Sequence, residues 1–452
     1  MNTDLTTGNT SRLLWAFSIP MLISVAFQQF YNIADSVIAG RFIGEQALAA
    51  VGASYPITMI FMAVAIGSSI GCTVVVSQLF GSKHYAMLKT AVGTICCAGV
   101  VVSLALSLFG IWQDDNLLLL LQTPENIFSD ASLYLHIYIL GFLFLFLYNV
   151  GTGIFTALGD SRTPLYFLIG SSLGNIALDL LFVIAFDMGV AGVAWATFLA
   201  QGIACVLALI TLFFRLRKLQ TTEAHQFFSF AVLGQVTKVA VPSILQQCFV
   251  SVGNLFIQGL VNSYGSAVIA GYSGAIKLNT FGVTCMTTLS NGLSSFTAQN
   301  LGAGKKDRVQ EGFRAGAKMG ILVSLPFVLV YFFFSEAAMG LFMKSESAEA
   351  IAAGAMFLKI VTPFYFVVST KVMCDRVLRG GSAMLYFMTT TFTDLVLRVV
   401  LAFVFAIGFG LGSTGIWLSW PFGWSISCVL SYVFYRKKPW EKPWEKRSYD
   451  TL

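Results

Sequence analysis

The stretch QQFYNIADSVIAG, Gln28 to Gly40, holds a carboxylic acid where a chain seldom keeps one. Leu13 to Phe27 before it is almost wholly apolar and, together with the residues up to Gly40, long enough to cross a bilayer. Asp35 lies inside that span, with Gln28, Gln29, Tyr31 and Asn32 on the turns before it. An ionised carboxylate at such depth costs roughly 2.5–3.5 kcal/mol on insertion scales, and acids retained there usually mark ion or proton pathways. A second acid, Asp179, stands in GNIALDLLF, four residues after Asn175 and on the same helical face. Thr197 lies further along in GVAGVAWAT. Two carboxylates with an amide and a hydroxyl can hold either a shared proton or a small hard cation such as Na⁺, because burial and a neighbouring acid both disfavour full ionisation.

Such residues need elements that carry them to depth. Of 452 residues, 57% are hydrophobic and 11% charged, against about 25% charged in ordinary soluble domains. The apolar residues fall in long blocks, which excludes a soluble globular protein and describes an all-α, multi-spanning membrane protein. A net charge of +6 gives no reason to expect nucleic acid as a partner. The eight cysteines sit in or beside apolar runs, with neither zinc spacing nor a disulfide framework; they read as small packing residues. The first apolar run lacks a short h-region with a small-residue cleavage site and reads as a retained span.

Twelve apolar runs can be placed at 13–39, 47–79, 88–113, 131–158, 164–186, 190–214, 233–262, 267–300, 312–334, 349–378, 383–408 and 413–435. They divide the chain into an N-terminal six-helix lobe (1–214), a cytosolic linker (215–232), a C-terminal six-helix lobe (233–435) and a basic cytosolic tail (436–452). The tail, RKKPWEKPWEKRS, carries a duplicated Pro-Trp-Glu-Lys unit. Its tryptophans could rest at headgroup level, but the plain reading is a disordered end. With the N-terminus inside, the inner segments hold Arg12, Lys83, Lys89, Arg162, Arg215, Arg217, Lys218, Lys305, Lys306, Arg308, Arg376 and Arg379. The outer ones hold the acidic clusters Asp114–Asp115–Glu125–Asp130 and Glu336–Glu346–Glu349, with Arg41 and Lys344. The positive-inside rule then places both termini in the cytosol.

The halves repeat. Gly44 followed by EQALAAVG matches Gly265 followed by SAVIAGYS; SQLFG (Ser77 to Gly81) matches AQNLG (Ala298 to Gly302); LYF occurs at Leu165 and Leu385. Both halves start inside with an even number of spans, so the lobes are expected to be related by a pseudo-twofold axis along the membrane normal. Carriers of repeat design hold substrate near the repeat interface and rock the lobes to alternate access.

At about 1.5 Å of rise per residue, Asp35 lies ~7–8 Å, Asp179 ~12 Å and Thr197 ~10 Å from the outer ends of their spans. With Asn175, four oxygen-bearing side chains from three spans share one layer in the outer half of lobe one. Pro20 removes a backbone hydrogen bond in span 1 and permits a bend there.

These motifs together, "IP" of span 1, YNIADSVIAG, SQLFG with AQNLG, ALGDSRTP, GNIALDLLF and GVAGVAWAT, give a chain that resembles the multidrug and toxic compound extrusion (MATE) transporters, in the prokaryotic DinF-like branch. The resemblance implies two six-helix lobes in a bacterial cytoplasmic membrane, open to one side at a time. It implies exchange of organic cations for H⁺ or Na⁺, with lipid around the protein, no other cofactor, and function as a monomer. In that branch the ion site uses an Asp in span 1, an Asn and an Asp in span 5 and a Thr in span 6. These fall on Asp35, Asn175, Asp179 and Thr197. Tyr31 and Asn149 sit where the branch often lines the adjoining cavity; Gln28, Gln246, Asn254, Lys277, Asp394 and Arg398 are the further polar residues expected to face it. Some members carry an acid in span 7 soon after the proline, where this chain has PSILQQ, so Gln246 or Gln247 stands there instead. Asp394 and Arg398, one turn apart, read as a neutralised pair or as a cation-attracting wall. Lys371 and Asp375 are spaced as an i,i+4 pair of structural or gating role.

Two rival classes have weaker support in the residues. ALGDS is superficially like the Gly-x-Gly-Asp of intramembrane aspartyl proteases, but Ala157 replaces the first glycine and Asp160 stands beside Arg162 at an inner loop. LGAGKK is superficially like a phosphate loop, but Gln299 and Lys306 break the pattern; no enzyme is expected. A flippase for lipid-linked sugars or cell-wall precursors needs basic residues in its cavity. Lobe one offers acids instead, and only Lys277 and Arg398 support that alternative.

Overall fold

The computed structural model describes residues 4–38, 42–341 and 347–441, and within these the side chains of 32–37, 45 and 48 are not described. Lobe one of the sequence forms α1 (Thr10–Ile38), α2 (Glu45–Gly81), α3 (Tyr85–Leu120), α4 (Glu125–Leu140), α5 (Phe142–Ala157), α6 (Arg162–Leu180) and α7 (Gly189–Arg217). Lobe two forms α8 (Phe230–Asn262), α9 (Ser266–Gly302), α10 (Lys306–Phe333), the short α11 (Ser335–Gly340), α12 (Ala348–Val361), α13 (Tyr365–Gly380), α14 (Met384–Phe403) and α15 (Gly412–Arg436).

Among the described residues nine helical runs are long and apolar enough to cross a membrane, and α4 with α5, bent by 47° at Gly141, makes a tenth. The two remaining runs expected to span, α9 and α15, have 37 and 25 residues. Part of the polarity of α9 is turned inward: Asn279, Ser290, Ser294, Ser295, Thr297, Gln299 and Asn300 are all buried. The fold is an all-helical integral membrane fold.

The chain forms two compact units, Ile19–Ile244 with Met1–Asp4, and Leu245–Leu452 with Leu5–Ser18. Helices α1 and α8 therefore contribute to both, and each division falls beside a proline, Pro20 or Pro242. In the first unit α2 and α5 are tied by a hydroxyl ladder: Ser69, Thr73 and Ser77 donate to the carbonyls of Asn149, Gly153 and Ala157 at 2.6, 3.1 and 3.4 Å. Residues spaced by four lie on one helix face, and in lipid such hydroxyl bonds and small residues hold helices together. At Gly71 the backbone of α8 comes so close that a Cβ would lie 2.6 Å from Ala240 Cβ.

The second unit has an aromatic centre. Tyr272 stacks on Trp417 at 5.3 Å, and Phe357 meets the same indole edge-on at 5.3 Å. AQNLG has a role invisible in the sequence: Gln299 Oε1 accepts the Leu5 N–H (3.1 Å), and Asn300 Nδ2 donates to the Leu5 carbonyl (3.1 Å). Lys305 Nζ reaches the Thr6 carbonyl (2.9 Å), so the segment before α1 is bound to this unit by its backbone.

The repeat is visible helix by helix. α2 and α9 have 37 residues each and follow glycines with positive φ, Gly44 (124°) and Gly265 (92°). α6 runs into a π turn at Leu181–Ala185, and α14 into one at Val404–Gly408.

Candidate ion-coupling site

Helices α6 and α7 form an antiparallel hairpin whose reversal uses left-handed backbone at Asp187 (φ 51°) and Gly189 (φ 56°). This sets Asn175 and Asp179 on α6 against Thr197 on α7. Asn175 is 2% exposed and Asp179 0%. With the amide oriented by its hydrogen-bonding network, Asn175 Nδ2 donates to Asp179 Oδ2 at 3.0 Å and Oδ1 accepts from the Thr197 N–H at 3.1 Å. The same amide lies 3.4 Å from Thr197 Oγ1. Three of the four residues expected to form the site therefore meet, and a π turn, a feature frequent at functional sites, begins two residues after Asp179. The side chain of Asp35, the fourth, lies outside the described residues.

Beside Thr197 is a small, partly open cavity of about 20 Å³, lined in part by Tyr134, Tyr138 and Gln201. That is room for about one water molecule. Gln201 was not singled out from the sequence, although it stands four residues after Thr197 and shares its face. A small apolar cluster of Ile38, Val183 and Val193, with Ile176 packed on it, joins the end of α1 to α6, the π turn and α7.

The other expected residues are spread out. Asn149 donates to the Leu145 carbonyl (2.8 Å) on its own helix. Tyr31 is half-buried, whereas Gln28, Asn254 and Lys277 are exposed. Gln246 is half-buried with its Oε1 enclosed and unbonded. The spacing of Asp394 and Arg398 suggested a pair, and this requires correction. Asp394 Oδ2 faces Lys371 Nζ at 3.8 Å, while the Arg398 guanidinium lies over the Trp420 ring at 4.4 Å. The indole face draws Arg398 away from its own helix neighbour. Lys371 and Asp375 do pair, at 2.9 Å. Asp375 also accepts from Thr390 (2.9 Å) and Ser431 (2.8 Å), which makes it the hub of a buried network joining α13, α14 and α15.

Asp160, the acid that suggested a protease, is a structural group. Its Oδ1 accepts from the backbone N–H of Arg162 (3.2 Å) and Thr163 (3.0 Å) at the start of α6, and Oδ2 pairs with Arg215 at 2.9 Å. Buried polar side chains on a multi-spanning helical scaffold with two similar halves describe a membrane transporter rather than an enzyme.

The MatE family profile matches residues 20–181 and 242–404, one segment in each half, and the chain belongs to that family, the multidrug and toxic compound extrusion transporters. It is 29% identical over 441 residues to the probable multidrug resistance protein YpnP of Bacillus subtilis (strain 168), covering 97% of each chain. It is 25% identical over 324 residues to an FAD transporter of Shewanella oneidensis, covering 71% of this chain and 70% of that one. Among solved structures, a MOP-superfamily transporter from Pyrococcus furiosus superposes with a TM-score of 0.90 at 22% identity, over 99% of both chains. An outward-facing multidrug resistance MATE transporter does so with 0.89 at 21%, again over 99% of both.

Proposed function

We propose that the protein exports organic cations in exchange for H⁺ or Na⁺, by alternating access, from a bacterial cytosol with both of its termini inside. Asp35, Asn175, Asp179 and Thr197 form the coupling site, and the chain belongs to the DinF-like branch of the family. One observation carries this reading. Asp179 is fully buried against an amide that also bonds the next helix, on a hairpin whose apolar cap includes Ile38, three residues after Asp35. That cap supports bringing the outer turns of α1 beside the pair. Carboxylate, amide and hydroxyl oxygens suit a proton or a hard monovalent ion. Neutralising the acids by either ion, and re-exposing them when it leaves, couples the site's charge to the conformational cycle.

The decisive experiment uses purified protein in liposomes with ethidium as cargo, under a pH gradient alone and under a sodium gradient alone. Cation accumulation driven by at least one gradient is the expected result. A protein that ignores cations under both, yet moves a lipid-linked sugar between leaflets, would be a flippase. The buried Arg398, with Nε lacking a partner, is the feature that favours that second reading.

A further inference from the structure

The chain carries a duplicated Pro-Trp-Glu-Lys unit after α15, and Pro439, Trp440 and Glu441 of its first copy are placed. Lys438 takes left-handed backbone (φ 52°) and turns the chain back after α15. Trp440 is thereby fully buried. Its Nε1 donates to the Tyr435 carbonyl at 3.2 Å, and its backbone fills the space where Gly381 lacks a side chain. The ring stacks on Tyr435 at 6.3 Å, and Tyr435 stacks on Phe313 at 4.1 Å. Three aromatic rings from α10, α15 and the segment beyond it thus form a rigid floor.

Above that floor is a cleft of about 370 Å³, rimmed by Arg314, Arg436 and Lys438, with Gln310 and Tyr432. All three cations are exposed. Lys438 is bonded to Glu441 at 3.0 Å; among the described residues neither arginine has a carboxylate partner. The cleft lies where α10 begins and α15 ends, at one end of a helix long and apolar enough to cross a membrane. Its charge repels a cationic cargo and matches an anion. Guanidinium forks fit phosphate oxygens bidentately, and basic pockets beside membrane-spanning helices take anionic headgroups.

We propose that this cleft binds a phosphate ester, held by Arg314 and Arg436 above the Phe313–Tyr435–Trp440 floor. An anionic phospholipid headgroup and a soluble organic phosphate share that chemistry. A ligand that binds only the folded protein raises its unfolding temperature, so the test is thermal unfolding of the full chain. One arm compares nanodiscs of phosphatidylcholine with nanodiscs containing one part in five of phosphatidylglycerol. The other adds glycerol 3-phosphate to protein in detergent. The variants are Arg314→Gln/Arg436→Gln and a control pair in the other unit, Lys218→Gln/Lys238→Gln, all at exposed positions.

A shift with phosphatidylglycerol, kept in the control pair and lost in the arginine pair, identifies the headgroup as ligand. The same pattern with glycerol 3-phosphate identifies a soluble phosphate. In a titration with short-chain phosphatidylglycerol the arginine pair should bind on the order of 30-fold more weakly. Equal responses of the arginine pair and the unaltered protein in both arms, or no response of the unaltered protein in either, would overturn the proposal.

Discussion

Replacing Asp179 by Asn tests the coupling role proposed for it apart from any effect on folding. The substitution keeps the volume of a side chain that is 0% exposed, so no cavity forms. The Asn175 amide that donates to Oδ2 at 3.0 Å can donate to the new carbonyl instead. A hydrogen bond to a charged group is worth about 1.5–3 kcal/mol and a neutral one about 0.5–1.5, so the exchange loses about 1 kcal/mol there. Removing a buried charge offsets that loss. Stability should therefore stay within about 1 kcal/mol of the original, whereas an amide can neither take up a proton nor balance a sodium ion. Asp179→Ala leaves the Asn175 amide without its acceptor, at a further cost of about 1–3 kcal/mol. The assays are thermal unfolding in detergent and ethidium accumulation in liposomes under an imposed gradient. Both variants should fall to the leak rate, but only the alanine should lower the unfolding temperature clearly. Accumulation by Asp179→Asn at the original rate, with unchanged pH and sodium dependence, would refute the reasoning.

Asp35→Asn should abolish gradient-driven efflux while the protein still reaches the membrane, as measured by drug accumulation in cells together with membrane immunoblotting. Asp375→Ala strands the buried Lys371, with Asp394 at 3.8 Å as its remaining acidic partner among the described residues; a loss of about 3–5 kcal/mol in unfolding free energy is expected, and Lys371→Met/Asp375→Leu should recover much of it. Gly71→Val inserts a Cβ where Ala240 is 2.6 Å away, which should cost about 1–3 kcal/mol and show as a lowered unfolding temperature. Asp160→Ala removes acceptors for two N–H groups at the start of α6 and leaves Arg215 unpaired; a drop of about 2 kcal/mol is expected in the same assay.

Legibility in the sequence followed the range of the interactions. The spans could be read because each is a continuous apolar block, and Asn175 with Asp179 because four residues bring two side chains to one face. Depth counting along two spans was enough to bring Thr197 to that pair. The contacts missed are those fixed by the register of one helix against another. Asp394 prefers Lys371 on α13 to Arg398 on its own helix, and no spacing encodes that choice. The bend at Gly141 was missed as well, because the run from Phe142 to Leu147 is wholly apolar and reads as part of one continuous span. Trp440 lies in a strongly charged segment that composition reads as solvated, and is buried because an aromatic stack and a glycine receive it.

Aligning the two π turns, Leu181–Ala185 with Val404–Gly408, aligns the chemistry of the two hairpins as well. Gly189 then corresponds to Gly412 and Gly192 to Gly415, while Asn175 corresponds to Arg398, Asp179 to Ala402 and Thr197 to Trp420. The contact survives the change of residues: Asn175 lies 3.4 Å from the Thr197 hydroxyl, and Arg398 lies 4.4 Å from the centre of the Trp420 ring. In the first unit the position holds an acid beside an amide and a hydroxyl, the groups proposed above to take a mobile cation. In the second, Ala402 has no charge to offer, and a guanidinium fixed to the chain already rests on the aromatic face. A cation–π contact of this kind is worth about 0.5–2 kcal/mol and involves no ion that could be exchanged with solution. Under the proposed coupling role, the duplicated scaffold carries exchangeable charge in one half, while the other holds a charge tethered to the chain. Coupling in this reading rests on the first unit, and Arg398→Gln should lower stability while leaving the ion dependence of efflux unchanged.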